Sequence, residues 1–274
     1  MSAHSATSPR PRGRHSAAAA VTLALVLALT AGACGSSGSE EPAGTLATTT
    51  TAAPLAAPEV SAGGTISVTK PPAPGIYEFG QTGTTGVLNQ GQEPKTRDST
   101  GTLEVSAPSQ SAGGTEVQFE RIEGGGTRSE QTLLYNDQGI SLTSVRNTLP
   151  VVSQSRDYVC KPSRPVLILP VNIGPGSTWE DRVSCEAGQI SYKATVGALT
   201  DVVLGDGTSV QALEIDVANT VDGPGLKTQS TQKYWFAPSL SLNVKVTDST
   251  RAQLSVYDVT HEGTDLLQSA TPKR

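Results

Sequence analysis

The stretch YWFAPSLSLNVKV, Tyr234 to Val246, sets three of the chain's eleven aromatic residues side by side and then alternates apolar with polar. Alternation with period two is the pattern of a strand with one buried and one wet face. Leu240, Leu242, Val244 and Val246 share such a face. Pro238 cannot donate to a sheet ladder and Ala-Pro-Ser is good turn chemistry, so a hairpin or bulge is expected there that resets the register. With that reset Trp235 turns inward beside Tyr234 and Phe236 and packs with the cluster around Trp179. Were the strand to run straight, Trp235 would stand on the outer face with Lys233 and Lys245 as a contact site.

The same signal recurs on both sides of this stretch. Ile66 and Val68, Leu103 and Val105, Val117 and Phe119, and Ile140 and Leu142 alternate in short runs. Longer runs hold Ile190, Tyr192, Ala194 and Val196, then Leu213, Ile215 and Val217. Turn chemistry separates them at EGGGT, NDQG, GDGT and VDGPG, and no helical periodicity exceeds two turns. About a dozen such runs without helices to cover a parallel sheet define an all-β fold. The expected form is an antiparallel meander making a curved sheet, a half-barrel or a two-sheet sandwich. Only PVLILP, Pro165 to Pro170, is continuously apolar, either a strand buried on both faces or an extended edge.

The first 33 residues carry Arg10, Arg12 and Arg14 and no acid, followed by an uncharged apolar run of signal-peptide length. They resemble the bacterial lipoprotein signal, whose small-residue box ends at an acylated cysteine; here that box is Thr30-Ala31-Gly32-Ala33-Cys34. The resemblance implies lipidation at Cys34, export, and anchoring at the extracytoplasmic face of the cell membrane. Residues 34–64 then read as lipidated cysteine and flexible linker, its residues 35–60 spanning roughly 28 Å on average. The all-β domain is expected over residues 65–262, with a C-terminal tail at 263–274.

Three cysteines leave one over after any single disulfide, and an unpaired thiol is a liability in an oxidising compartment. Lipidation of Cys34 repairs the parity and leaves Cys160 with Cys185, a loop that also encloses VLIL and Trp179. That loop reads as the stapled centre of the domain. Without the signal, 17 basic residues stand against 25 acidic ones, a net charge of −8, and no basic stripe for nucleic acid appears.

Candidates for chemistry are few. His261 is the one histidine beyond the signal, it has no Gly-x-Ser-x-Gly elbow to serve, and it reads as an exposed strand-end residue. Zinc lacks further ligands, and no other cofactor motif is present. Glu180, Asp181 and Asp216 read as solvated surface charge. EGGGTRSE lacks the lysine and helix of a phosphate loop, and GDGT and VDGPG carry too few acids for calcium.

The order Pro-Val-Leu-Ile-Leu-Pro, Gly-x-x-Trp, then Tyr-Trp-Phe-Ala-Pro is similar to a pattern in all-β envelope lipoproteins of high-GC Gram-positive bacteria. It falls here on Leu169, Pro170, Gly176, Trp179, Trp235, Phe236, Ala237 and Pro238, with Ser239 to Ser241 where that pattern commonly has glycine. The resemblance implies a curved antiparallel sheet and carries no activity. A fainter likeness is to lipid-carrying half-barrels plugged by helices, which this chain does not offer. The expected function is therefore a non-catalytic, membrane-tethered β domain that binds another envelope component. The alternative is a carrier or sensor of a hydrophobic small molecule or lipid, and a sizeable apolar cavity separates the two.

Overall fold

The computed structural model describes residues 65–274 except 69, 89–92, 125–126, 152–153, 186–187, 224–225 and 255–256. The expectations for Cys34, the signal and the linker lie outside the described residues. Among those described no α-helix occurs. Sixteen strands follow one another: β1 (Ile66–Ser67), β2 (Gly75–Val87), β3 (Lys95–Val105), β4 (Ser109–Ser111), β5 (Gly114–Ile122), β6 (Arg128–Asn136), β7 (Gly139–Val151), β8 (Gln154–Cys160), β9 (Val166–Pro170), β10 (Asn172–Ile173), β11 (Thr178–Cys185), β12 (Gly188–Val203), β13 (Ser209–Gly223), β14 (Leu226–Ala237), β15 (Leu242–Leu254) and β16 (Tyr257–Leu267).

All but β1 and β10 belong to one antiparallel sheet of fourteen strands, in the order β11-β12-β13-β14-β15-β16-β2-β3-β5-β6-β7-β8, with β4 on β5 and β9 on β7. The order describes two sequential meanders. One runs from β2 to β8 and the other from β11 to β16. They are joined by the single ladder β16·β2, from Val259 opposite Val87 to Leu267 opposite Phe79. In the middle of that junction Gly83 faces Gly263. A side chain on Gly263 would lie 2.9 Å from His261 Nε2 and 3.0 Å from Asp248 Oδ1, so glycine leaves the room those two buried groups occupy.

The far edges of the two meanders, β8 and β11, meet without a ladder between them. Instead Cys160 at the end of β8 is disulfide-bonded to Cys185 at the end of β11, with 5.2 Å between the Cα atoms. Nearby, the Tyr192 hydroxyl on β12 donates to the Leu167 carbonyl on β9, and Arg164 forms a two-pronged ion pair with Asp181 of β11. The sheet thus closes into a barrel through a backbone ladder on one side and a covalent, side-chain seam on the other. The disulfide loop is this seam, which replaces the expectation that it forms the domain's centre.

VLIL is the edge alternative of the two readings: β9 pairs on one side, with β7, and buries Val166 and Leu169. The β1–β10 pair sits outside the main sheet and adds Ile66, Val68 and Ile173 to the core. At the other terminus the structure corrects the expected domain end. β16 continues through residue 267, and Lys273 exchanges backbone hydrogen bonds with Ile76 at 2.8 and 2.9 Å. Leu267 is fully buried, so residues 263–273 complete the barrel and are not a tail.

Candidate functional site: the barrel lumen

Side chains alternate between the lumen and the outer face on every long strand, and the lumen-facing set changes character along the barrel axis. On β2, Tyr77 and Phe79 are followed on the same face by Gln81; on β5, Val117 and Phe119 by Arg121, with Glu123 next. The antiparallel neighbours run the other way: on β14, Thr228, Ser230 and Gln232 precede Tyr234 and Phe236, and on β16, His261 and Asp265 precede Leu267. Strand polarity alternates, so the polar halves gather at one end and the apolar halves at the other. The lumen is a graded compartment.

The polar half is organised around four ionisable groups whose side chains are between 4% and 13% exposed. Arg121 donates to Asp265, and its Nε lies 3.5 Å from Glu123 Oε1. Arg97 reaches Asp265 Oδ1 at 3.2 Å and Glu123 Oε2 at 3.4 Å. Desolvation pushes the Glu123 carboxyl up to about 8 despite both guanidinium groups, with Asp265 and Asp248 adding to the rise. Gln81 Oε1 accepts from Ser99 Oγ at 3.4 Å and from the Gly124 amide at 3.3 Å. Arg121 also stands 5.2 Å over the Phe79 ring, where the polar half gives way to the apolar one.

At that boundary lies a cavity of about 120 Å³. Phe79, Phe119, Leu133, Ile168, Phe236 and Leu242 supply much of its wall, with Arg121, Ser129 and Trp179 among its polar lining. These residues come from strands β2, β5, β6, β9, β11, β14 and β15 on several sides of the sheet, so the cavity lies within the lumen. Three of its buried donors, Ser129 Oγ, Trp179 Nε1 and Arg121 Nε, have no hydrogen-bond partner.

The residues singled out in the sequence divide between inside and outside. Tyr234 and Phe236 are buried in the lumen, and burial holds the Tyr234 phenol well above the usual tyrosine range. Trp179, at the seam, is partly buried and lines the cavity. The expected hairpin and bulge are present: β14 pairs with β15 across a register shift at Trp235/Phe236, and Ser241 in the connection has a φ of 54°. The shift does not turn Trp235 inward, because the extra residue is inserted on β15. Trp235 is partly buried on the outer face, with Lys245 Nζ 4.5 Å and Lys233 Nζ 5.9 Å from its ring centroid.

His261 is likewise corrected. It is 3% exposed, with Nδ1 2.8 Å from Thr85 Oγ1 and Nε2 3.6 Å from Asp248 Oδ2. The charged cluster was missed, although its signal is in the sequence: in TEVQFERIE, Arg121 and Glu123 continue the period-two face of Val117 and Phe119.

Outside, β2 and β12 to β16 form a concave face with a groove of about 760 Å³, lined by hydroxyls and charges such as Thr84, Lys193, Asp216, Thr231, Thr247 and Glu262. Lys233 at its edge pairs with Glu214 at 3.1 Å and Asp216 at 3.4 Å. No His/Cys/Asp/Glu group that could hold a metal ion occurs among the described residues.

No protein-family profile matches the chain, and no curated protein does. Among solved structures, the crystal structure of a candidate exported protein with a YmcC-like fold from Bacteroides fragilis NCTC 9343 aligns with 74% of this chain and 98% of its own. The identity is 10% and the TM-score 0.38.

Proposed function

We propose that the chain is an exported lipoprotein, anchored through Cys34, whose barrel is a non-catalytic domain that binds another component of the cell envelope by its outer surface. The observation that carries this reading is the contrast between the two faces of the sheet. The cavity in the lumen holds about 120 Å³ behind a seam closed by a disulfide, whereas the outer face of β2 and β12–β16 offers a groove of about 760 Å³. A void the size of a ring compound is too small to carry an acyl chain. The disulfide between the sheet edges supports an oxidising compartment, which is where the signal and the lipobox would send the chain.

The non-catalytic part of the reading rests on the surroundings of His261. Its contacts place Asp248 on Nε2 and a threonine on Nδ1, the reverse of the order in which a triad base is oriented and used, and the ring is 3% exposed. The group is read as part of the polar packing at the β16·β2 junction.

The test is site-specific photo-crosslinking in intact cells, with a photoreactive side chain at Thr247 in the groove or at exposed Val203 away from it. A discrete crosslinked species from the Thr247 position alone supports the reading. Crosslinking that is equal at both positions, or absent from both, removes it.

A further inference from the structure

The lumen cavity carries an inference separate from the outer-surface reading. Its walls are apolar, yet Ser129 Oγ and Trp179 Nε1 face burial without an acceptor. Ser129 as a whole is only 8% exposed. A buried donor left unpaired costs about 1–3 kcal/mol, so native structures pair nearly all of them with protein, water or ligand. Both groups can donate, and what the site lacks is an acceptor.

Charge narrows the chemistry further. Arg121 is the cation in the lining; Asp265 accepts from its Nη2, while its Nε has no hydrogen-bond partner. Burial keeps Glu123 protonated at neutral pH, so Arg97 and Arg121 share the one carboxylate of Asp265, and the lining favours an acceptor oxygen over a further donor. Size sets the last limit: an apolar cavity of about 150 Å³ accepts benzene, so about 120 Å³ corresponds to a single ring of about six or seven heavy atoms.

We propose that the lumen is a binding site for a ring-sized apolar molecule bearing one acceptor oxygen, which takes a hydrogen bond from Ser129 or Trp179 while Phe79, Phe119, Leu133 and Phe236 enclose its body. The cavity sits where Arg121 covers the Phe79 ring, between the apolar and charged halves of the lumen. A molecule with one polar atom matches that gradient better than a hydrocarbon or a fully polar solute does.

Cyclohexanone and methylcyclohexane serve as probes, because they are close in size and differ in the acceptor. Full-length protein carrying Cys34→Ser, purified without detergent, is titrated with each by calorimetry and by tryptophan fluorescence. The ketone is expected to bind saturably at one site. Ser129→Ala or Trp179→Phe should weaken it about fivefold, the worth of one hydrogen bond, while leaving methylcyclohexane affinity unchanged. Two outcomes overturn the proposal: no saturable ketone binding in the folded wild-type barrel, which means the cavity holds water only, or ketone affinity unaltered in both variants. Circular dichroism of each variant confirms folding. The Ser129 substitution removes one atom and serves as the control where the tryptophan variant is perturbed.

Discussion

Replacing both members of the disulfide, Cys160→Ala with Cys185→Ala, opens the seam and leaves the rest of the sheet hydrogen-bonded as before. The bridge closes a sequence separation of 25 residues. On the chain-entropy estimate that constraint contributes about 3.5 kcal/mol. The other seam contacts hold less. Arg164 is 58% exposed, and an ion pair of that kind contributes at most about 1 kcal/mol, which leaves the Tyr192 to Leu167 hydrogen bond as the main tie.

For a domain of about 200 residues each kcal/mol moves the melting temperature by about 2–4 °C, so the double variant should melt about 7–14 °C lower. Calorimetry on the oxidised wild type and the variant gives that number. Hydrogen exchange locates the effect. Amides of β8, β9 and β11 should lose protection first, while the central pair β14·β15 keeps it. A melting temperature within 2 °C of wild type, or protection lost evenly round the sheet, would refute the claim that the disulfide closes the barrel at an otherwise unpaired edge.

Phe236→Ala should cost about 3–5 kcal/mol by denaturant titration, as a lumen aromatic does, whereas Trp235→Ala, on the outer face under Lys245, should cost only about 1–2 kcal/mol; equal costs would contradict their opposite orientations. Glu123 binds its proton more tightly folded than unfolded, so its contribution is complete below pH 4.5 and is lost as pH rises towards about 8. Glu123→Gln should flatten the stability profile over that window, and an unchanged profile would remove Glu123 as its source. Cys34→Ser should release the protein from the membrane fraction or leave an unprocessed precursor. Processing and fractionation like wild type would end the lipoprotein reading.

What could be read in advance was what period two reports. The alternating runs in β3, β5, β7, β12, β13 and β15 announced their buried faces, and NDQG and GDGT each announced a turn that the structure contains. Closure could not be read the same way. Which strands meet at β16·β2, and that β8 and β11 are the free edges, depends on pairings between segments far apart in the chain, and local alternation is silent about them. Parity named the disulfide, but only the strand order reveals that it joins two sheet edges.

The errors have physical causes as well. The side of a β-bulge that receives the extra residue cannot be read from a proline, so the reset expected at Pro238 points Trp235 to the wrong face. His261 looked exposed because its neighbours Glu262 and Gly263 are polar or small; the facing glycines of the β16·β2 junction are what make room for it inside. The charged lumen was overlooked because Arg121 and Glu123 resemble surface charge until the parity of the strand is followed past Phe119.

One mass-spectrometric experiment tests the tethered, edge-sealed barrel most directly: non-reducing peptide mapping of the protein purified from the membrane fraction of its own cells. The account predicts a mature N-terminal peptide beginning at Cys34 and carrying acyl mass, together with a peptide pair linked through Cys160 and Cys185. Free thiols at both of those positions, or an unmodified peptide running through Cys34 from upstream sequence, would contradict it.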